Sequence, residues 1–195
     1  MRHLFFVGAL AALTFLTAVP TTAQEKRPEL PPLDKSPLDA AWLPPGAPSA
    51  TKPEDQPVAR VLYGRPQKNG RTIFGAGEKD VVPYGKVWRT GANESTELRL
   101  YKAVTIGGKQ LQPGYYTIYT IPGEKEWTVI FSSAQIGWGA YAYDEKKDVV
   151  RVKAPVITAP TPTDAFTIAF RPEGAGKATM RMVWDTTEVD VPVTY

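Results

Sequence analysis

The sequence predicts an all-β protein, an antiparallel β-sandwich of jelly-roll type with about nine or ten short strands. Two observations predict it. From Val58 onward apolar and polar residues alternate with a period of two, broken at short intervals by Gly, Pro and Asn. No segment carries the periodicity of an amphipathic helix. A small barrel is the alternative closure of the same strands.

The first strand, 58–65, is bounded by Pro66 and by Asn69-Gly70, a pair suited to the two left-handed positions of a tight hairpin, with 71–74 as its short return strand. In 95–102, Thr96, Leu98 and Leu100 share one face while Glu97, Arg99 and Tyr101 share the other, so one face is buried and one is wet. Gly107-Gly108 and Pro113-Gly114 flank a short strand. Strand 115–121 runs into the turn Pro122-Gly123-Glu124, and 127–132 pairs back. Strands 149–156, 164–170 and 178–184 follow, the last two separated by the turn Glu173-Gly174-Ala175-Gly176. In the final strand, 188–195, Val189, Val191, Val193 and Tyr195 point one way, and Pro192, lacking an N–H to donate, suggests a sheet edge.

Two segments of different character precede the strands. Arg2 and His3 lead an apolar stretch, 4–16, which is followed by Pro20 and the small residues Thr21-Thr22-Ala23. That is the pattern of a secretory signal peptide, residues 1–23, cleaved after Ala23. The apolar stretch is shorter than the roughly 20 residues of a membrane-spanning helix. The mature chain is therefore expected to be exported, periplasmic or secreted, with no transmembrane segment. Residues 24–57 are crowded with proline, which removes donors and biases each preceding residue away from helix. This extended segment is read either as a spacer or, because Leu33, Leu38, Trp42 and Leu43 supply apolar anchors, as a strap lying across the domain. Residues 58–195, close to the commonest size of one domain, are expected to form a single sandwich.

Composition removes several chemistries. The chain has no cysteine, and its one histidine is His3, in the leader. That excludes a disulfide framework, a thiol-linked lipid, a histidine-dependent serine triad, a cysteine protease and a histidine-based zinc site. Losing Arg2 with the leader lowers the formal charge from +3 to +2, and the basic residues are dispersed among acids, so no nucleic-acid partner is expected. No cofactor and no metal are expected either: Asp144-Glu145-Lys146-Lys147-Asp148 carries two lysines and lacks the glycine of a calcium loop, and is read as a solvated turn.

The richest segment in functional groups is 84–96. Tyr84, Trp88, Arg89, Asn93, Glu94 and Thr96 are its candidate binding residues. Arg89 offers a planar five-donor fork, Asn93 donors and acceptors, and Glu94 an acceptor, all close to Gly91, so together they can hold a small polar or anionic ligand. The same residues have an architectural reading, in which Arg89 pairs with Glu94 or a carbonyl, Gly91 supplies a left-handed bend and Asn93 bonds its own loop. Arg65 and Arg71 flank the Asn69-Gly70 turn and, with Arg89, form a basic cluster for phosphate or carboxylate, or else cap carbonyls. Trp138, with Tyr141 and Tyr143, stands between glycines as a carbohydrate platform or as an apolar plug at one end of the sandwich, the plug being the expected role. The hydrolytic chemistry left is that of two carboxylates about 5 to 9.5 Å apart. Glu94 is the candidate catalytic residue, with Asp144, Asp148 or Asp185 as its partner.

Several phrases carry a family resemblance: Ala59-Arg60-Val61-Leu62-Tyr63-Gly64-Arg65-Pro66, Asn69-Gly70-Arg71-Thr72-Ile73-Phe74-Gly75, Val82-Pro83-Tyr84-Gly85-Lys86-Val87-Trp88-Arg89-Thr90-Gly91-Ala92-Asn93-Glu94-Ser95-Thr96, Ile106-Gly107-Gly108-Lys109 and Pro113-Gly114-Tyr115-Tyr116-Thr117-Ile118-Tyr119. They resemble the bacterial domain-of-unknown-function family 2911, from about Pro57 to the C-terminus. Some members share a proline-rich approach similar to 33–39. The resemblance implies an exported bacterial β-domain with no established activity, in which the match of Asn93-Glu94-Ser95 to a glycosylation acceptor is coincidence. Two stretches depart from the family pattern, 75–80 and 135–139. The expected function is non-catalytic binding of a small ligand, a glycan or an envelope partner. The alternatives are a carboxylate-dependent hydrolase of glycans or envelope polymers, and a structural envelope component using exposed strand edges.

Overall fold

The computed structural model describes residues 29–52 and 56–195. The expected signal peptide and its cleavage after Ala23 lie outside the described residues. The alternating sequence forms strands β1 (Leu38–Leu43), β2 (Ala59–Gly64), β3 (Phe74–Gly75), β4 (Val82–Pro83), β5 (Ala92–Leu100), β6 (Val104–Ile106), β7 (Lys109–Leu111), β8 (Gly114–Ile121), β9 (Glu126–Ser132), β10 (Asp148–Gly174) and β11 (Lys177–Thr194). Nine of them make one antiparallel sheet in the order β1-β2-β5-β8-β9-β10-β11-β6-β7, and β3 with β4 forms a separate parallel pair. Among the described residues the sheet does not close on itself, so the barrel alternative is not adopted.

β10 makes the sheet into a sandwich. Its 27 residues would span about 90 Å if straight, at ~3.3 Å per residue, so it bends. Asp148 to Pro155 pairs with β9, and Val156 onward pairs with β11. The expected breaks at 157–163 and 185–187 do not occur; β10 and β11 each run through as one strand. Register shifts between Thr158, Thr163 and Thr167 absorb the donorless Pro160 and Pro162, and Asp185 opposite Thr163 takes φ 55°. The chain stays extended where proline suggested a loop, because proline's fixed φ is compatible with a strand once the missing bond falls at an irregularity.

The two layers meet on an aromatic core. Trp88 packs on Phe166 (5.0 Å between ring centroids) and stacks on Trp184 (6.1 Å), and Phe74 packs on Trp127 at 4.9 Å. Val61, Leu98, Ile118, Val129, Phe131, Met182, Val189 and Val191 fill the rest, all essentially inaccessible. The Tyr63 hydroxyl accepts from Ile168 N at 3.0 Å and joins β2 to β10 across the layer edge. Burial and the neighbouring Asp39 carboxylate outweigh the Ile168 hydrogen bond and Arg65, so the Tyr63 phenol titrates above its ordinary range.

Two local expectations change. The turn at Asn69-Gly70 forms, with φ 48° and 71°, but 71–73 is not a return strand. The edge it needed is occupied: Phe166 N donates to Pro66 O and Lys68 N to Asp164 O. The chain instead buries Ile73 and continues into β3. Within the proline-rich segment, 38–43 is a true strand on the edge of β2. It sends Ala41 and Leu43 inward and stacks Trp42 outward on Tyr101 at 6.4 Å, whereas Leu33 is exposed. Leu33–Tyr195 forms one compact unit. No helix among the described residues is long and apolar enough to cross a membrane.

The loop 133–147 covers the outward face of β8 and β9. Thr117 donates to Ala134 O at 2.7 Å, and Tyr119 packs edge-on against Tyr143 at 5.1 Å. This cover explains why β8 and β9 are buried on both faces near the loop.

Candidate functional site

The segment 88–96 is a folded knot of backbone. Trp88 pairs with Thr120 of β8 through two backbone bonds, and its indole N–H donates to Gly91 O at 3.1 Å. Thr90 adopts φ 58°, a conformation a β-branched residue avoids. It is held there by Thr96, whose buried hydroxyl donates to Thr90 O at 2.6 Å, and by a 3.2 Å hydroxyl contact with Thr120. Gly91 and Gly64 allow the close approach of this knot to β2: a Cβ at Gly91 would stand 2.9 Å from Gly64 O, and one at Gly64 would collide with Ala92 O. Trp88 and Thr96, both expected as ligand contacts, are 8% and 0% exposed and belong to the interior.

The three arginines have different partners. Arg65 pairs with Asp39 at 2.9 Å and donates to Thr167. Arg71 donates to Gln67 O and Lys68 O, the carbonyl-capping role. Arg89 is half-buried and makes no ion pair with Glu94, its Nε being buried without a partner among the described residues. Tyr84 is half-buried after β4, its amide bonded to Gly75 O. Two of the three guanidiniums expected to hold phosphate or carboxylate are thus engaged by the protein's own groups.

The end of the knot holds something else. Asn93, at φ 61°, accepts from Gly139 N at 2.8 Å through its carbonyl and donates from its side chain to Asp34 at 3.1 Å. Ser95 N donates to Gly137 O at 2.8 Å, and its hydroxyl accepts from Gly137 N at 3.1 Å. These bonds clamp Gly137-Trp138-Gly139 against β5, with Glu94 directly opposite Trp138. The backbone at Trp138 is therefore held in place, yet the residue is 63% exposed, and Tyr141 and Ile136 beside it are exposed as well. The expected plug at the end of the sandwich is not what forms. The interior is already filled by Trp88, Trp127 and Trp184, and a loop clamped on the outward face has no route to it.

Two shallow grooves flank Ile136. One, of about 140 Å³, is lined by Leu38, Leu62, Glu94, Ser95, Glu97 and Ile136. The other, of about 290 Å³, is lined by Tyr115, Tyr116, Thr117, Ser133, Gln135 and Ile136. Glu97 is neutralised by Arg60 at 2.7 Å, whereas Glu94 is exposed and makes no ion pair or side-chain hydrogen bond among the described residues. The partners expected for a hydrolytic pair are engaged elsewhere: Asp144 caps its own turn, Asp185 pairs with Lys68, and Asp148 is held by Tyr143 at 2.7 Å and Arg151 at 2.9 Å. Burial, and then the hydrogen bond to Asp148, push the Tyr143 phenol up to about 12. That network buttresses the base of the loop. Glu97, Leu38 and Ile136 were not anticipated as groove residues. Glu97 was legible as outward-facing from the alternation in β5, but its meeting with Leu38 and Ile136 depends on strand order.

Neither a search of curated proteins nor one of solved structures finds a match. A family model described as "Protein of unknown function (DUF2911)" matches residues 47–193, covering β2 to β10 and most of β11, and the chain belongs to that family.

Proposed function

We propose that this protein is an exported, non-catalytic recognition module whose binding face is the exposed Trp138 together with the two grooves that share Ile136, two residues before it, and that it takes a small ligand or a glycan there. The observation that carries this reading is the combination of exposure and fixation at Trp138. An indole left largely in water forgoes the roughly 1.5–3 kcal/mol that burial of a large apolar side chain provides, yet its backbone is tied on both sides by Asn93 and Ser95. A preorganised aromatic surface loses little conformational entropy on binding, and the neighbouring polar groups of Ser95, Gln135 and Glu94 can orient a polar ligand. Against a hydrolytic role stands the engagement of each candidate second carboxylate by other residues.

Calorimetric titration with neutral oligosaccharides, amines and organic acids tests the reading. Trp138→Ala should fold like the wild type and lose at least about tenfold in affinity for whatever binds, equivalent to ~1.4 kcal/mol. Undiminished binding by that variant refutes the assignment of the face. Turnover of a glycan that Glu94→Gln abolishes would establish the hydrolase instead.

A further inference from the structure

Resting on that recognition reading, we infer that the Glu94–Trp138 pair receives the ammonium group of a small organic cation. Gly139 N donates to Asn93 O and Ser95 N to Gly137 O, one bond on each side of the pair and none within it. That is the narrow, non-hydrogen-bonded site of an antiparallel ladder, where facing side chains share one face and approach most closely, with Cα atoms about 4.5 Å apart. The Glu94 and Trp138 side chains therefore leave the two segments on the same face, within reach of one ligand, and both are exposed.

The charge of the groove selects the ligand. Of its two carboxylates, Glu97 is compensated by Arg60, and Glu94 has no cationic partner among the described residues. The face of an indole attracts a cation through the ring quadrupole, and an adjacent carboxylate adds to that attraction. An anion is repelled by both groups, and a neutral polyol can use the ring alone. The same layer displays the completed version of this arrangement. Arg60 lies over Trp42 at 5.7 Å, and Arg99 lies over Tyr101 at 4.6 Å and Tyr115 at 5.0 Å. At those rings the protein's own guanidinium is the cation; at Trp138 the facing residue is an acid. The groove that Glu94 lines, of about 140 Å³, suits a head group rather than a polymer.

The test is calorimetric titration of the purified protein with choline, with dimethylbutanol as its uncharged isostere, with trilysine and with a neutral chito-oligosaccharide. Choline should bind at least about tenfold more tightly than its isostere, and Glu94→Gln should lose a similar factor with its unfolding midpoint unchanged. Added salt should weaken choline binding and leave the isostere unaffected. Equal affinity for choline and the isostere, or undiminished choline binding by Glu94→Gln, overturns the inference. Binding of trilysine but not choline through Glu94 overturns the small solute in favour of a lysine side chain. Binding of the oligosaccharide alone, dependent on Trp138, overturns the ammonium while sparing the recognition reading. Absence of binding by all four probes overturns the inference as well.

Discussion

Trp88 and Trp138 sit at the two ends of one hydrogen-bonded assembly and have opposite fates. Trp88 lies in the segment with the densest functional groups and is 8% exposed among four other aromatic rings; Trp138 lies in a segment without strand alternation and is 63% exposed. The segment 88–96 resembles a site because it contains so many polar groups, but nearly all of them are spent on its own geometry. Thr96 and Thr90 fix a left-handed bend, Gly91 admits β2, and Asn93 and Ser95 grip the Trp138 loop. Polar density in a turn thus marks construction, and the surface that construction presents lies one loop away.

The contrast is broken most severely by deleting each ring. Trp88→Ala should cost about 3–5 kcal/mol, the penalty for removing a large aromatic from a packed core, whereas Trp138→Ala should stay within about 0.5 kcal/mol of the wild type. Urea unfolding of both variants measures this, and comparable losses would erase the distinction. Glycine substitutions come next. Gly64→Ala forces a methyl against the Ala92 carbonyl, which is backbone and cannot swing away, so a loss of about 3 kcal/mol is expected. Gly137→Ala meets nothing within 4 Å and should be nearly neutral by the same assay. Thr96→Val removes the donor to Thr90 O and should cost about 1–2 kcal/mol, the price of a buried carbonyl left unpaired.

The smallest effect sharpens the account of the loop's base. Tyr143 is raised from its ordinary 10.0 to about 12 in the folded chain, so folding favours the neutral phenol. Its contribution is fully present below pH 10 and is lost as the pH rises toward about 12, because the unfolded chain gives up the proton first. Stability of the wild type should fall across that window. Tyr143→Phe should show a shallower decline, read from unfolding midpoints at successive pH values.

The fold was largely legible because a half-buried antiparallel strand writes its face into every second residue. β5 is the clearest case, with Thr96, Leu98 and Leu100 buried and Glu97 and Arg99 outward as the alternation requires. The errors fell where a local signal competes with a distant partner. Pro160 and Pro162 read as a loop, but pairing on both sides of them keeps β10 extended. The 71–74 return strand lost its edge to β10, a segment some ninety residues away in the chain. The site was half legible for the same reason. Glu94 and Trp138 were each recognisable as candidates, and nothing in their spacing places them opposite one another. Arg65, Arg71 and Arg89 look like a cluster in the sequence, but Arg65 is engaged by Asp39 and Thr167 and Arg71 by two carbonyls of its own turn, partners that no local pattern announces.

The most direct test of the division between scaffold and surface compares Arg89→Ala with Trp138→Ala, following the ligand-induced rise in unfolding temperature across a panel of sugars, amines and organic acids. A ligand at 100-fold its dissociation constant adds about 2.7 kcal/mol of stability, which such a scan resolves. The account predicts that Trp138→Ala melts at the wild-type temperature and loses the response, while Arg89→Ala retains it. A response lost on replacing Arg89 and kept on replacing Trp138 would return the site to the segment 88–96 and contradict the account.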